Sequence, residues 1–260
     1  MVGKSIYTNR DFNSLSELYH TNTKLNRWNA REYADKIDIF YKISQNSASG
    51  IEKPGKSYPW APSISLPLHL GKSGLTLEET ISSRRTAQEF SGKQISKEQL
   101  SFILRFSAGV IEEKRALRTH PSGGALYPLE LYVVAFAVTD LESGLYHYGV
   151  YEHSLRKIGS GNLCEQFSEI LSAENLVETS SVALIISGVF YRSEIKYGQR
   201  GYRLMLLEAG HLGQNILLSA TAQGVAAVPL GGFLDDEVNR ILGLDGIEET
   251  VIYPILLGAS

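Results

Sequence analysis

Residues 209–223 read AGHLGQNILLSATAQ, a stretch without formal charge and rich in Ala, Gly and Ser. With residues 201–208 it predicts one long helix whose second half is apolar on every side. Such a helix needs cover all round, within a core or at a subunit interface, and its small residues let backbones approach closely. The neighbouring segments offer partners for it. SVALIISGVF (181–190) reads as a buried strand leading into a loop, YRSEIKYGQR. A short strand at 226–228, a helix at 235–242 and a closing strand VIYPILLG (251–258) come after the helix.

Upstream, Thr76-Leu77-Glu78-Glu79 and Ser96-Lys97-Glu98-Gln99 are capping boxes, opening helices that run to about Arg85 and to Gly109. LELYVVAFAV (129–138) reads as a buried strand and GLYHYGVY (144–151) as an alternating one before a turn at 152–154. Residues 162–171 read as a helix. The first 70 residues are less periodic, with short helices expected around 13–20 and 28–44. KPGKSYPWAPSISLPLHL (53–70) then packs in four prolines, which disfavour helix and favour an extended arm over the body. Strands and helices are interspersed without an internal repeat, so the class is mixed α and β.

The 260 residues carry 25 basic and 28 acidic side chains, a net charge of −3, with 43% hydrophobic and 20% charged residues. That is a globular composition with ample core. Without a Lys/Arg block it argues against general nucleic-acid or acidic-membrane binding. Cys164 is the single cysteine, which excludes an internal disulfide and a multi-cysteine metal site. The six histidines show no metal-ligand spacing, so no metal is expected. The start MVGKSIYTNRDFNS has no apolar signal core, and the longest apolar run, LYVVAFAV (131–138), is far below the roughly 20 residues of a membrane helix. A cytoplasmic protein is the expectation.

Three segments could carry chemistry. Arg84, Arg85 and Thr86 offer two guanidinium forks and a hydroxyl, which suit a phosphate dianion, or are solvated surface groups. In RTHPSGGALYPLE (118–130), Gly123 and Gly124 could bring backbone N–H groups against a flat ligand, or form a plain turn. VPLGGF (228–233) admits the same two readings. Dinucleotide, phosphate-loop, zinc-protease and nucleophile-elbow motifs are absent from the sequence. His211 reads as a hydrogen-bonded core histidine, and Cys164, without a basic neighbour, as no nucleophile. Lys196 and Tyr197 fall in the loop after a strand, where catalytic groups commonly sit, or are a solvated lysine beside a packed tyrosine.

In this order, RRT, PSGGALYPLELYVV, LEAGHLGQNILLSATAQG and VPLGGF, the chain resembles the nitroreductase superfamily of flavin enzymes. Within it, PSGGALYPLELYVV and the GLYHY strand resemble the SagB-type dehydrogenases, the azoline oxidases of thiazole/oxazole-modified peptide biosynthesis. YHTNTK (19–24) looks like that group's opening signature. The resemblance covers about residues 75–258 closely and 15–70 loosely. It implies an α+β fold with a central, mostly antiparallel sheet flanked by helices. It also implies FMN and an intertwined homodimer, with the long helix buried at the dimer interface and a flavin at each such interface. Length then divides into an amino-terminal arm (1–70) and one FMN-binding domain (71–260).

By resemblance, Arg84, Arg85 and Thr86 match the holders of the FMN phosphate. Pro121, Ser122, Gly123 and Gly124 match the loop that reaches flavin from the partner chain, and Pro229, Leu230, Gly231 and Gly232 the segment lining the isoalloxazine. Lys196 and Tyr197 match a catalytic lysine–tyrosine pair. Gln88 departs from the pattern, as does the lack of a basic pair after the last strand, so Arg118 and Arg200 become candidates for the remaining phosphate contacts. The implied activity is oxidation of a peptide thiazoline or oxazoline to the azole. Tyr197 would be the base and Lys196 would favour its phenolate. An NAD(P)H-dependent nitro- or quinone reductase, and a flavin-bearing scaffold for a cyclodehydratase partner, are the alternatives.

Overall fold

The computed structural model describes residues 14–46, 54–68, 74–113 and 116–260; the chain start read above (1–13) and parts of the proline-rich stretch lie outside them. Ser14 caps α1 (Leu15–Asn22), accepting from the Glu17 N–H at 3.3 Å, and α2 (Ala30–Asn46) follows. The proline-rich stretch runs extended and adds Ser63–Ser65 (β1) to a sheet. Both capping boxes close reciprocally, starting α3 (Leu77–Ser83) and, after β2 (Ile95–Ser96), α4 (Lys97–Ala108). A small hairpin, β3 (Val110–Glu112) and β4 (Leu117–Arg118), leads to a tight turn at Gly123–Ala125.

Then come β5 (Leu129–Ala135), β6 (Val138–Thr139), β7 (Gly144–Gly149) and β8 (Ser154–Ser160). Two short helices, α5 (Cys164–Ile170) and α6 (Glu174–Thr179), precede β9 (Val182–Val189), α7 (Phe190–Tyr197) and α8 (Arg200–Ala222). The chain closes with β10 (Val225–Pro229), α9 (Asp235–Leu242) and β11 (Glu249–Ala259). Seven strands form one sheet in the order β1-β8-β7-β5-β9-β11-β10, every neighbouring pair antiparallel. The expected antiparallel sheet flanked by helices is therefore found.

Period-two alternation divides the core between two faces. Leu131, Val133, Leu184, Ile186, Ile255 and Leu257 pack towards α4 and α8, whose Leu100, Ile103, Leu104, Leu212 and Ile216 meet them. Tyr132, Val134, Ala183, Ile185 and Leu256 pack the other way, against Phe167, Ile170, Val177, Val238 and Leu242 of α5, α6 and α9. The central strands read as unbroken apolar runs because both faces are covered. Gly213 lets α8 lie on the sheet, since a Cβ there would meet the Tyr253 ring at 2.8 Å.

Three readings change. YRSEIKY is α7, not a loop; its start has no side-chain cap, so the usual sequence signal is missing. SLRKIGS is β8, held by ladders to β7 and β1 rather than by an apolar pattern. Within the chain itself the uncharged half of α8 is covered on one side, and Gly210, His211 and Gln214 face outward with Leu206 and Leu207, so His211 is not a core histidine.

Burying charge at one end of the sheet requires partners. Glu130 accepts from the Lys56 N–H (2.8 Å) and from Arg192 Nη1 (2.5 Å), and His147 Nε2 lies 2.8 Å away. Burial alone would push its carboxyl up, but His147 and Arg192 outweigh that and hold it at about 2. Lys56 Nζ donates to Glu249 (2.6 Å), which also accepts from Ser187 Oγ (2.6 Å) and Tyr132 OH (3.0 Å). On α4, Ser101 Oγ donates to the Pro67 carbonyl and so accepts from His153 Nε2, leaving Nδ1 to accept from Tyr148 OH, each bond 2.8 Å.

Burial and the Arg105 charge hold His153 below its usual 6.5. The unfolded chain therefore takes up that proton first, and its share of stability is lost as pH falls below about 6.5. Glu130 contributes stability above its unfolded 4.5, lost between about 4.5 and 2. The thermal midpoint should thus decline below pH 6.5 and more steeply below 4.5. In His153→Gln the upper decline should flatten; an unchanged slope in a pH series of melts would refute the assignment.

Candidate functional site

The sheet register brings two loops together. Leu129 at the start of β5 pairs with Gly188 near the end of β9, and the ladder extends from the Val189 N–H to the Pro128 carbonyl at 2.8 Å. The turn before β5 and the helix after β9 consequently emerge side by side. The turn is left-handed at Gly124 (φ 65°), Ala125 (φ 55°) and Tyr127 (φ 43°). Ser122 holds it: its Oγ accepts from the Tyr127 N–H (2.9 Å) and donates to Glu208 (2.5 Å) on α8. Buried His120 lies 3.4 Å from the other Glu208 oxygen and 3.3 Å from the Ser107 carbonyl.

Ser122 stands out in the sequence, whereas Glu208 and His120 do not. The signal was a lone acid on the buried side of a largely apolar helix, a group that must have a partner.

Lys196 and Tyr197 occupy the last turn of α7, and the turn at Gly124 lies against both. A Cβ on Gly124 would sit 2.6 Å from Lys196 Nζ and 2.6 Å from Tyr197 OH. Lys196 is only 2% exposed. Its Nζ donates to Tyr41 OH at 2.8 Å and lies 4.2, 5.2 and 5.3 Å from the ring centres of Tyr41, Tyr197 and Phe40. Ring quadrupoles and a phenol thus stabilise this ammonium in place of a carboxylate. Tyr33 stacks on Tyr197 at 6.2 Å and 24°, and burial and that neighbour hold its phenol above the usual value. Tyr33, Phe40 and Tyr41 went unread in the sequence, although their i, i+7, i+8 spacing marks one face of α2.

A second group forms elsewhere on the chain. Arg84, Arg85 and Thr86 follow α3, and the Ala87 N–H donates to Ala227 of β10 at 3.1 Å. That strand runs on to Pro229, Leu230, Gly231 and Gly232. The Leu230 N–H donates to Pro254 (2.9 Å), and Gly232 accepts from the Ser172 N–H (3.0 Å). Arg84 Nη1 reaches the Thr86 hydroxyl at 3.5 Å, and Arg85 Nη1 donates to the Ser82 and Arg84 carbonyls at 2.8 Å. Neither arginine forms an ion pair among the described residues.

The structure therefore joins Ser122–Gly124 to Lys196–Tyr197, and Arg84–Thr86 to the strand leading into Pro229–Gly232. The two further cations considered for a phosphate are engaged within the chain. Arg118 donates to the Pro54 carbonyl and covers the Tyr127 ring at 4.6 Å, and Arg200 donates to the Thr23 carbonyl at 2.6 Å. The Cys164 thiol, pushed up by burial, donates to the Val177 carbonyl at 3.7 Å.

Residues 81–259 match the nitroreductase family. The chain is 34% identical over 183 residues to MJ1384 of Methanocaldococcus jannaschii, which carries the nitroreductase name, covering 70% of this chain and 89% of that one. It is 29% identical over 133 residues to the microcin B17-processing protein McbC of Escherichia coli, 49% of each chain. The aligned part thus spans about half the length of McbC. Among solved structures, a chain of the E. coli microcin synthetase McbBCD complex with truncated pro-MccB17 bound superposes with a TM-score of 0.61 at 20% identity, over 92% of this chain and 99% of that one. That likeness is one of fold.

The Gly124 geometry makes a stability prediction. Gly124→Ala places a side chain in the left-handed region and against two polar atoms, costing about 1–3 kcal/mol. Gly231→Ala, which meets nothing within 4 Å, should stay within about 0.5 kcal/mol of the parent. Equal urea midpoints for the two variants would contradict this.

Proposed function

The chain belongs to the nitroreductase family, and we propose that it is a SagB-type member that oxidises thiazoline or oxazoline rings of a modified peptide to the aromatic azoles with FMN. The observation that carries this reading is the meeting of Lys196 and Tyr197 with the Ser122–Gly124 turn. The 29% identity to a microcin-processing protein supports the peptide substrate.

The residues present fit FMN by the chemistry of their donors. Arg84 and Arg85, free of carboxylate partners among the described residues, would hold the phosphate with Thr86. The backbone at Pro229, Leu230, Gly231 and Gly232, open where Gly231 lacks a side chain, would line the ring. Pro121, Ser122, Gly123 and Gly124 would reach the ring from the second protomer of a homodimer. The outward row Leu206, Leu207, Gly210 and His211 of α8, with exposed Leu77 and Ile81 on α3, which packs on the same helix, supports such an interface. Bound FMN supplies a two-electron acceptor.

Aromatising the ring removes one proton and one hydride equivalent. The chain's own residues handle the proton. The deprotonated Tyr197 oxygen would accept it, with the buried Lys196 Nζ 5.2 Å from the ring centre. Tyr41 holds Lys196 Nζ in place, and Tyr33 holds the Tyr197 ring while keeping its own proton. A cyclodehydratase that forms the azoline is the proposed partner, supported by the fold shared with a synthetase-complex chain. A second reading, reduction of nitro or quinone compounds by NAD(P)H, is supported by the 34% identity to MJ1384.

Tyr197→Phe should lose at least about a hundredfold in turnover of a thiazoline peptide while keeping the FMN absorbance. Full activity in that variant removes Tyr197 from the mechanism, and rapid bleaching of the parent by NAD(P)H with no thiazoline turnover would favour the reductase. Leu207→Asp should convert a dimer to monomer in light scattering; an intact dimer would move the interface off α8.

A further inference from the structure

The amino-terminal helices lie outside the family match, which begins at residue 81, yet they build one wall of the site. The α1–α2 connection, the first turns of α2 and the turn from Tyr197 to Arg200 line an open cavity of about 320 Å³. Tyr197 lines it, with Tyr33, Lys24, Lys36, Glu32 and Arg200. The size is at the low end for small-ligand pockets, enough for one segment of a larger substrate.

Two arginines of α8 dock the wall. Arg200 Nη1 donates to the Thr23 carbonyl at 2.6 Å; Arg203 Nη2 donates to the Thr23 hydroxyl and, at 3.2 Å, to the His20 carbonyl. These acceptors are neutral, so neither positive charge is cancelled. Inside the cavity, Lys36 pairs with Glu32 at 2.9 Å, which removes the lining's one acid from the balance. Lys24 and Arg200 are left facing the same space without an ion-pair partner among the described residues. In a chain of net charge −3, this local excess is a feature of the site and not of the whole surface.

We propose that this cavity is a substrate subsite that takes the carboxylate of an acidic residue flanking the ring to be oxidised, with Lys24 and Arg200 as its cations. The proposal rests on the azoline-oxidase reading above and adds a substrate preference to it. The carboxylate would lie beside Tyr197, so the subsite would also set where the ring stands relative to the proposed base. Because the groups are partly exposed, the preference should weaken as salt rises.

The test uses the FMN-loaded, full-length protein and two short peptides with one thiazoline, identical except for Asp or Asn two residues from the ring. The Asp peptide should be turned over with about tenfold higher kcat/KM, mostly through KM, as expected for one charge-assisted hydrogen bond. In Lys24→Gln that ratio should shrink about fivefold. Equal kcat/KM for the two peptides, or a ratio untouched in Lys24→Gln, overturns the subsite and leaves the oxidase reading standing. Anisotropy with the labelled thiazole products separates the two claims. If neither thiazoline peptide is oxidised but the Asp product binds about tenfold tighter, and Lys24→Gln erases the difference, the subsite stands and the oxidase reading falls. Weaker FMN uptake by Lys24→Gln with no change in peptide preference assigns the cavity to the cofactor phosphate and ends the proposal.

Discussion

The antiparallel register that sets Leu129 opposite Gly188 is the constraint on which the candidate site depends. It fixes where the chain enters β5 and leaves β9, and one more ladder bond, Val189 to Pro128, carries the alignment past the strands. A one-residue slip would send Leu131, Val133, Leu184 and Ile186 to the wrong face of a sheet buried on both sides. The core therefore enforces the register, and the register places Gly124 against Lys196 and Tyr197. A glycine is needed at that point because the backbone, not a side chain, fills the space beside the ammonium and the phenol.

Charge is distributed in two distinct ways around this frame. At the sheet end, Glu130 and Glu249 are buried but saturated by Lys56, Arg192, His147, Tyr132 and Ser187, so the segment around Lys56 is pinned by groups that would be costly to leave unpaired. Around Lys196 the opposite holds. Its ammonium is held by rings and a hydroxyl, and Arg200 and Arg203 spend their donors on carbonyls and a hydroxyl. Positive charge beside Tyr197 is thus balanced by no carboxylate in an ion pair among the described residues.

How much was legible follows from the range over which each signal acts. Capping boxes at Thr76 and Ser96, the apolar runs of β5 and β9, and the small-residue half of α8 are local patterns, and each marked its element. The segments RRT, SGGA and KY were visible as residue types suited to chemistry, but nothing local says that Gly124 touches Lys196 and Tyr197 while Arg84 and Arg85 join the strand to Gly231. α7 was misread as a loop because it starts without a capping side chain. β8 was missed because ladder bonds to two neighbours, not apolar alternation, hold it. Tyr33 and Tyr41 were overlooked because their partner lies some 155 residues along the chain.

The sequence by itself determined the class of fold, the family resemblance and the set of residues able to do chemistry, because those reside in periodicity, caps and short motifs. Only the tertiary structure decided which of these residues meet, that Glu208 and His120 stand behind Ser122, and that the second amino-terminal helix brings Tyr33 and Tyr41 against Tyr197 and Lys196. The physical reason is that close contacts between distant segments are set by strand register and by packing on both faces of the sheet. Those constraints are properties of the whole folded chain and leave no mark within any single stretch of it.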